Sequence, residues 1–283
     1  MMLRETNIKK HLSYSIIYLV LLFGIGITIL PLLWQITISL KSSNTIFELV
    51  PRFVPNEFKF SNYTEAITEM QFLKYFKNTL FISFMTIIGT LFSCTLTAFG
   101  FSRLKFKGRN LLFFILVSTL MLPSQVTLIP MYITYARMGW INSYLPLIAP
   151  HFFGDAFYIF MLRQFFLTIP KELDEAATID GCSTFRIYWN IILPLCTPVL
   201  LTVVLFKFNW VWNDFMGPLI YVNDQNKFTL SLGLYVFKSS QKYGPQWNYL
   251  MAAATIMMLP VFTLYALFQK YFIEGIAISG LKG

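Results

Sequence analysis

Residues 170–194 read PKELDEAATIDGCSTFRIYWNIILP, a polar stretch between two long apolar ones. It is too long for a simple turn and too polar to enter a bilayer. Thr168 and Pro170 are good helix-start residues, and Glu172, Asp174 and Glu175 put negative charge in the first turns, where the helix dipole favours it. Leu173, Ala176 and Ala177 form a small-residue stripe at spacings of three and four, and Gly181 is placed to end that helix. Ser183 can cap a second helix. On it Phe185, Tyr188, Trp189 and Ile192 recur at spacings of three, one and three, and Leu193-Pro194 stops it. The stretch predicts a helix–turn–helix of about 20 residues. Its first helix lets another backbone approach closely, and its second is apolar enough to pack on a bundle.

The sequence on either side is that of a membrane protein. Of 283 residues, 56% are hydrophobic and only 12% charged, about half the charged share of a soluble domain. Aromatics reach 18%, with 30 Phe, and the mean hydropathy is +0.61. Disorder, a coiled coil and a nucleic-acid-binding domain are excluded. A soluble core of this composition would leave large apolar patches exposed. Crossing the hydrocarbon takes roughly 20 apolar residues, and six stretches qualify: 13–34, 78–102, 110–133, 145–166, 195–219 and 250–271. The first follows Arg4, Lys9 and Lys10 as a signal peptide would. It is too long for one and shows no small-x-small cleavage site, so it reads as an uncleaved span. The expected fold is an all-α polytopic membrane protein with six transmembrane helices in one domain. Its core covers about 77–272, its polar loop 167–194 and its tail 272–283.

Six spans put both termini on one side. With the amino terminus inside, segments 1–12, 103–109, 167–194 and 269–283 carry eleven Lys and Arg, against eight in the longer outer segments. The clearest vote is RLKFKGR, which holds Arg103, Lys105, Lys107 and Arg109 and no acid, because short loops obey the positive-inside rule best. The net charge of +9 is therefore a topology signal. In the outer loop after the first span, Tyr63, Ala66, Ile67, Met70, Leu73 and Phe76 recur at helical spacing, predicting one helix along the interface. Gly24, Gly26 and Pro31 interrupt the first span, and Pro123 and Pro130 the third. Such breaks are tolerated where neighbouring helices satisfy the backbone.

Small inventories remove other chemistry. Cys94, Cys182 and Cys196 give neither a disulfide framework nor metal-ligand spacing. His11 and His151 cannot build an H-E-x-x-H zinc site, and no metal site is expected. No G-x-x-x-x-G-K-[ST] string occurs, so ATP and Mg, if used, are bound by a partner chain and this chain holds no cofactor.

Glu175-Ala176-Ala177, Gly181, Ile191 and Leu193-Pro194 reproduce, spacing for spacing, the pattern EAA, three residues, Gly, nine residues, Ile, one residue, Leu-Pro. This resembles the EAA loop of ABC importer permeases. The flanks look like the carbohydrate-uptake branch similar to the maltose and multiple-sugar systems. They are Leu162-Arg163-Gln164-Phe165-Phe166, Trp212-Asn213-Asp214-Phe215 with Pro218-Leu219, Phe228-Thr229-Leu230, and the tail from Glu274-Gly275 to Lys282-Gly283. The resemblance extends from Asn62-Tyr63 to the end and is to the second, smaller permease of a heterodimeric pair. It implies a type I importer permease fold in a bacterial plasma (inner) membrane, with both termini cytoplasmic. The implied partners are a homologous permease, a cytoplasmic ATPase dimer and an extracytoplasmic solute-binding protein. The implied function is ATP-driven import of a sugar or oligosaccharide by alternating access, with no ATPase site on this chain. Carried over by position, Glu175, Ala176, Ala177, Asp180 and Gly181 are the implied ATPase-coupling contacts. The tail resembles tails that insert between the ATPases.

Ionisable residues inside spans are functional candidates, since lipid penalises charge. Asp155 and Lys207 both fall near the midplane, on spans of opposite direction, and His151 lies four residues before Asp155, on the same face of a continuous helix. Lys207 and Asp155 are a structural ion pair, or Lys207 is a counter-charge for an acidic sugar; pairing with the partner permease and snorkelling are further alternatives. The run Phe206, Phe208, Asn209, Trp210, Trp212, Asn213 and Asp214 mixes rings with amides, chemistry that suits sugars, although Trp near a span end also serves as an interface anchor. Lys207, Asn209, Asn213 and Asp155 are the substrate-path candidates. An ion-coupled secondary transporter would share the broken spans but more often shows repeated halves. A membrane enzyme would need a nucleophile–base set that this inventory lacks.

Overall fold

The computed structural model describes residues 2–48, 50, 52–239 and 246–280, and among these the side chains of all but 2–13, 124 and 270–280. In chain order the helices are α1 (Met2–Ser39), α2 (Ser61–Glu69), α3 (Phe72–Arg103), α4 (Arg109–Ser118), α5 (Ser124–Arg137), α6 (Leu145–Ile148) and α7 (Ala156–Thr168). They continue as α8 (Glu172–Ile179), α9 (Thr184–Ile187), α10 (Leu193–Leu195), α11 (Thr197–Asn213), α12 (Met216–Tyr221), α13 (Leu230–Ser239) and α14 (Trp247–Gly280). No strand occurs among the described residues. Among the described residues four helical stretches are long and apolar enough to cross a membrane, or up to six when each of two bent helix pairs counts as one span.

The chain forms two compact units, 1–70 with 236–258, and 71–235 with 259–283. In the first, α1 runs unbroken through Gly24, Gly26 and Pro31, contrary to the interruption expected there. In lipid an open backbone group has no water to turn to, so the helix tolerates the single bond Pro31 removes. None of the most apolar window of α1 is buried within the chain. Beyond it a polar knot closes the unit. Asn62 is buried and donates to the carbonyls of Ser39 and Lys41 at 2.8 Å each, while Asn248 donates to Asn62 at 3.2 Å. The single helix expected across 63–76 is two, because Gln71 adopts a left-handed backbone (φ 50°) after Met70. Ala66 and Met70 are buried, whereas Leu73 belongs to α3 and is exposed.

The second unit is organised around α3, which packs on α7 and α11. Thr79, Ser83, Thr86, Thr90 and Ser93 recur at spacings of three and four along α3 and are all buried, so a stripe of short side chains lets neighbours come close. Ser93 donates to the carbonyl of His151 at 2.9 Å. Gly89 lies in the same stripe, where a Cβ would meet the Phe152 ring at 2.6 Å. We expect Gly89→Leu to cost at least the 1–3 kcal/mol (about) typical of overpacking, read as a lower midpoint in thermal unfolding of detergent-solubilised protein. Gly100→Leu is the control, since nothing lies within 4 Å of that position.

The third span is bent by more than 40° between α4, with its 3-10 turn Thr119–Met121, and α5. Pro123 stands at the break as expected, but Pro130 is carried inside α5. The fourth span is discontinuous. α6 and a 3-10 turn (Ala149–Phe152) lead to Gly154, at φ +101°, before α7 begins. His151 and Asp155 therefore do not share one helix face. The expected tail 272–283 continues α14 as far as Gly280, and Lys282-Gly283 lies outside the described residues.

Candidate functional site: the 167–194 loop and an intramembrane cavity

α8 starts at Glu172 after Lys171, later than Thr168 and Pro170 suggest; Thr168 closes α7 instead. Its acids Glu172, Asp174 and Glu175 occupy the first turn. At the other end the amide of Cys182 donates to the carbonyl of Ala177 at 2.9 Å and that of Gly181 to Thr178 at 3.0 Å. These two bonds define a Schellman cap, which needs a left-handed residue after the helix. Gly181 supplies it at φ +79°. Ser183 then caps α9, its hydroxyl accepting from the amide of Arg186 at 3.4 Å. Leu193-Pro194 does not stop this second segment. It widens into a π turn over Tyr188–Ile192 and continues as α10, and the chain bends by 76° only between Leu195 and Thr197. Proline in the first turn of α10 lacks only an amide that the turn leaves unbonded.

Glu175, Ala176 and Asp180 are exposed on α8, as is the side chain of Ile179. Ala177 is different. It is buried in the chain's own core with Ile187, Tyr188 and Ile192, so it is not available as a contact for another chain. Its small side chain seats α8 on the bundle.

Two residues of this region went unremarked in the sequence beyond their charge. Arg103, at the end of α3, reaches Asp174 at 3.2 Å. Burial pushes the Asp174 carboxyl up, with the Arg103 charge pulling against it. No spacing rule connects positions 71 residues apart.

The second site is a cavity of about 470 Å³ between α7 and α11. Its polar lining is His151, Asp155, Lys207 and Asn209; Phe157, Tyr158, Phe206 and Trp210 supply rings. Lys207 is 2% exposed. Its ammonium donates to His151 Nδ1 at 2.9 Å and lies 3.6 Å from the Asp155 carboxylate. It also sits over the Trp210 ring (4.6 Å) and the Tyr158 ring (5.4 Å). Asp155 caps α7, its Oδ1 accepting from the amide of Phe157 at 3.1 Å. One carboxylate thus compensates a buried cation and begins a helix.

Of the four substrate-path candidates, Lys207, Asp155 and Asn209 line this cavity. Asn213 does not; its amide donates to Asn209 Oδ1 at 3.0 Å and to the Asn209 carbonyl at 2.8 Å, one turn away. Trp212 is no interface anchor. It is 1% exposed, stacks on Phe208 and meets the edge of Phe76. Among the described residues no cluster of His, Cys, Asp or Glu could hold a metal ion.

A membrane bundle with a capped helix–turn–helix projecting from it is the architecture of an importer permease, and the comparisons agree. Residues 89–278 match the family described as binding-protein-dependent transport system inner membrane component, and the chain belongs to that family. It is 35% identical over 254 residues to the probable ABC transporter permease protein YurM of Bacillus subtilis (strain 168), covering 89% of this chain and 83% of that protein. It is 32% identical to the probable starch degradation products transport system permease protein AmyC of Thermoanaerobacterium thermosulfurigenes, over 99% of this chain and 100% of that one. It is 31% identical to the diacetylchitobiose uptake system permease protein NgcG of Streptomyces coelicolor (strain ATCC BAA-471 / A3(2) / M145), over 86% and 81%. The fold matches a chain in the crystal structure of a bacterial ABC transporter involved in the import of the acidic polysaccharide alginate. There the TM-score is 0.83 at 22% identity, over 92% of this chain and 96% of that one.

Proposed function

We propose that this chain is one of two homologous permease subunits of an ATP-driven, binding-protein-dependent importer that carries a sugar or oligosaccharide into the bacterial cytoplasm. ATP and Mg bind to a separate cytoplasmic ATPase dimer. An extracytoplasmic binding protein delivers the cargo, and both termini lie in the cytoplasm. The observation that carries this reading is α8, an acidic, Schellman-capped helix that presents Glu175, Ala176, Asp180 and Ile179 outward from the bundle. Its partner is the ATPase. Ala177 and Gly181 act beneath, by seating and turning the helix. The test is co-purification: tagged chain extracted in mild detergent brings down two ATPase copies and a second permease, and isolation of this chain alone refutes the assembly.

The cavity lined by Lys207, Asp155 and Asn209 is the segment of the sugar path that we assign to this chain. Its rings can stack on the C–H faces of a pyranose and its amide can bond hydroxyls. Lys207 is already matched by Asp155, so the lining carries no net charge to attract a carboxylate, which favours a neutral sugar. Proteoliposomes with the cognate binding protein should take up neutral oligosaccharides, and Trp210→Ala should slow uptake about tenfold, which corresponds to about 1.4 kcal/mol. Uptake restricted to uronate-containing oligosaccharides would reverse the assignment of a neutral cargo.

A further inference from the structure

We propose that Arg103 and Asp174 form the latch through which movement of α8 is transmitted to α3, an inference that rests on the coupling role given to α8 above. Arg103 is the last residue of the longest helix in the second unit, and α3 is the element on which α7 and α11 pack. One guanidinium nitrogen lies 3.2 Å from Asp174, and the other terminal nitrogen donates to the carbonyl of Ile169 at 2.9 Å, immediately after α7. A single side chain thus holds the inner ends of α3 and α7 and the first turn of α8 together. The Arg103 side chain is 5% exposed and that of Asp174 22%. Between groups this little exposed an ion pair is only weakly screened by water and salt.

The junction also has unused capacity. Asp174 Oδ1 and Arg103 Nε are both buried without a hydrogen-bond partner. A guanidinium and a carboxylate can pair through two parallel bonds. Here the two groups form an ion pair at 3.2 Å, and a spare donor and a spare acceptor remain on the same two side chains. A shift of α8 relative to α3 can therefore exchange or complete the pairing without desolvating further groups, which gives the latch two discrete settings. Asp174 neighbours Glu175 but faces inward where Glu175 is exposed, so the two carboxylates have different partners.

The test uses the complete transporter with its binding protein in proteoliposomes, comparing transport per ATP hydrolysed for the native chain, Asp174→Asn, Arg103→Lys and Glu175→Lys. Asp174→Asn should leave the subunits assembled and lower transport per ATP by about tenfold, inside the span of typical site-to-site coupling. Arg103→Lys, which keeps the charge but not the fork, should lower it by less. If Glu175→Lys uncouples while Asp174→Asn transports normally per ATP, the latch is refuted and the coupling role of α8 stands. If neither variant changes the ratio, the coupling role itself falls. Should Asp174→Asn fail to assemble, the apolar pair Arg103→Met with Asp174→Leu removes both charges together. Its uncoupling in the assembled complex supports the latch, whereas normal coupling, or a failure to assemble even without a buried charge, assigns the pair to folding alone.

Discussion

Glu175→Lys should abolish ATP-driven uptake while leaving the permease folded and in the membrane. Glu175 is exposed, has no ion-pair partner among the described residues, and sits where the helix dipole favours an acid. Reversing its charge costs the helix only about 0.3–1 kcal/mol, yet it presents a cation where a charge-assisted contact with the ATPase is proposed. Gly181→Pro should have an equally large effect for a different reason. Proline holds φ near −65° and has no amide, so it can neither reach φ +79° nor donate to Thr178. The Schellman cap is then lost and α8 leaves the bundle at another angle. Gly181→Ala is the discriminating control. Nothing lies within 4 Å of an added Cβ, so only left-handed strain of about 1–2 kcal/mol remains, and uptake should fall partially. Uptake of labelled cargo and binding-protein-stimulated ATPase activity in proteoliposomes read both effects. Full activity in Glu175→Lys would remove α8 from the coupling path.

Lys207→Met should be among the most destabilising single changes in the second unit. It removes the ammonium that compensates Asp155 and leaves a carboxylate inside a span. Breaking a buried pair from one side costs about 3–5 kcal/mol, and an intramembrane acid about 2.5–3.5 kcal/mol by insertion measurements. The double variant Lys207→Met with Asp155→Asn should recover most of the loss, because asparagine still accepts from the amide of Phe157 as a helix cap and brings no charge. Thermal unfolding of the assembled complex in detergent measures the cycle. Additive losses across the two positions would show that Lys207 and Asp155 do not act as a pair.

The membrane class, the six apolar stretches and the loop at 170–194 were readable because each rests on local chemistry. Hydrophobic length, the absence of charge and a glycine just past a helix end are properties of contiguous residues. What stayed hidden had two causes. Pro31 and Pro194 look like breaks, yet α1 runs through Pro31, because breaking a helix in lipid would open further backbone groups, and Pro194 sits in the first turn of α10, where its missing amide costs little. Gly154 gave no warning between His151 and Asp155, and the break it creates sends the two side chains to Lys207 from separate elements. Ala177 had the right spacing for an exposed contact, but spacing does not say which side of a short helix meets the bundle.

By itself the sequence determined that this chain crosses a membrane several times and carries a capped acidic helix between its fourth and fifth spans, because both follow from hydropathy and from residues within one or two turns of each other. Only the tertiary structure decided which charges meet. Arg103 meets Asp174 across 71 residues with no local pattern to mark the pair, whereas Lys207 with Asp155, 52 residues apart, is one of several pairings that their common depth in the membrane allows, and the fold selects it. In a low-dielectric interior an unmatched charge is costly wherever it lies in the chain, so the fold, through the helices it brings side by side, selects each partner.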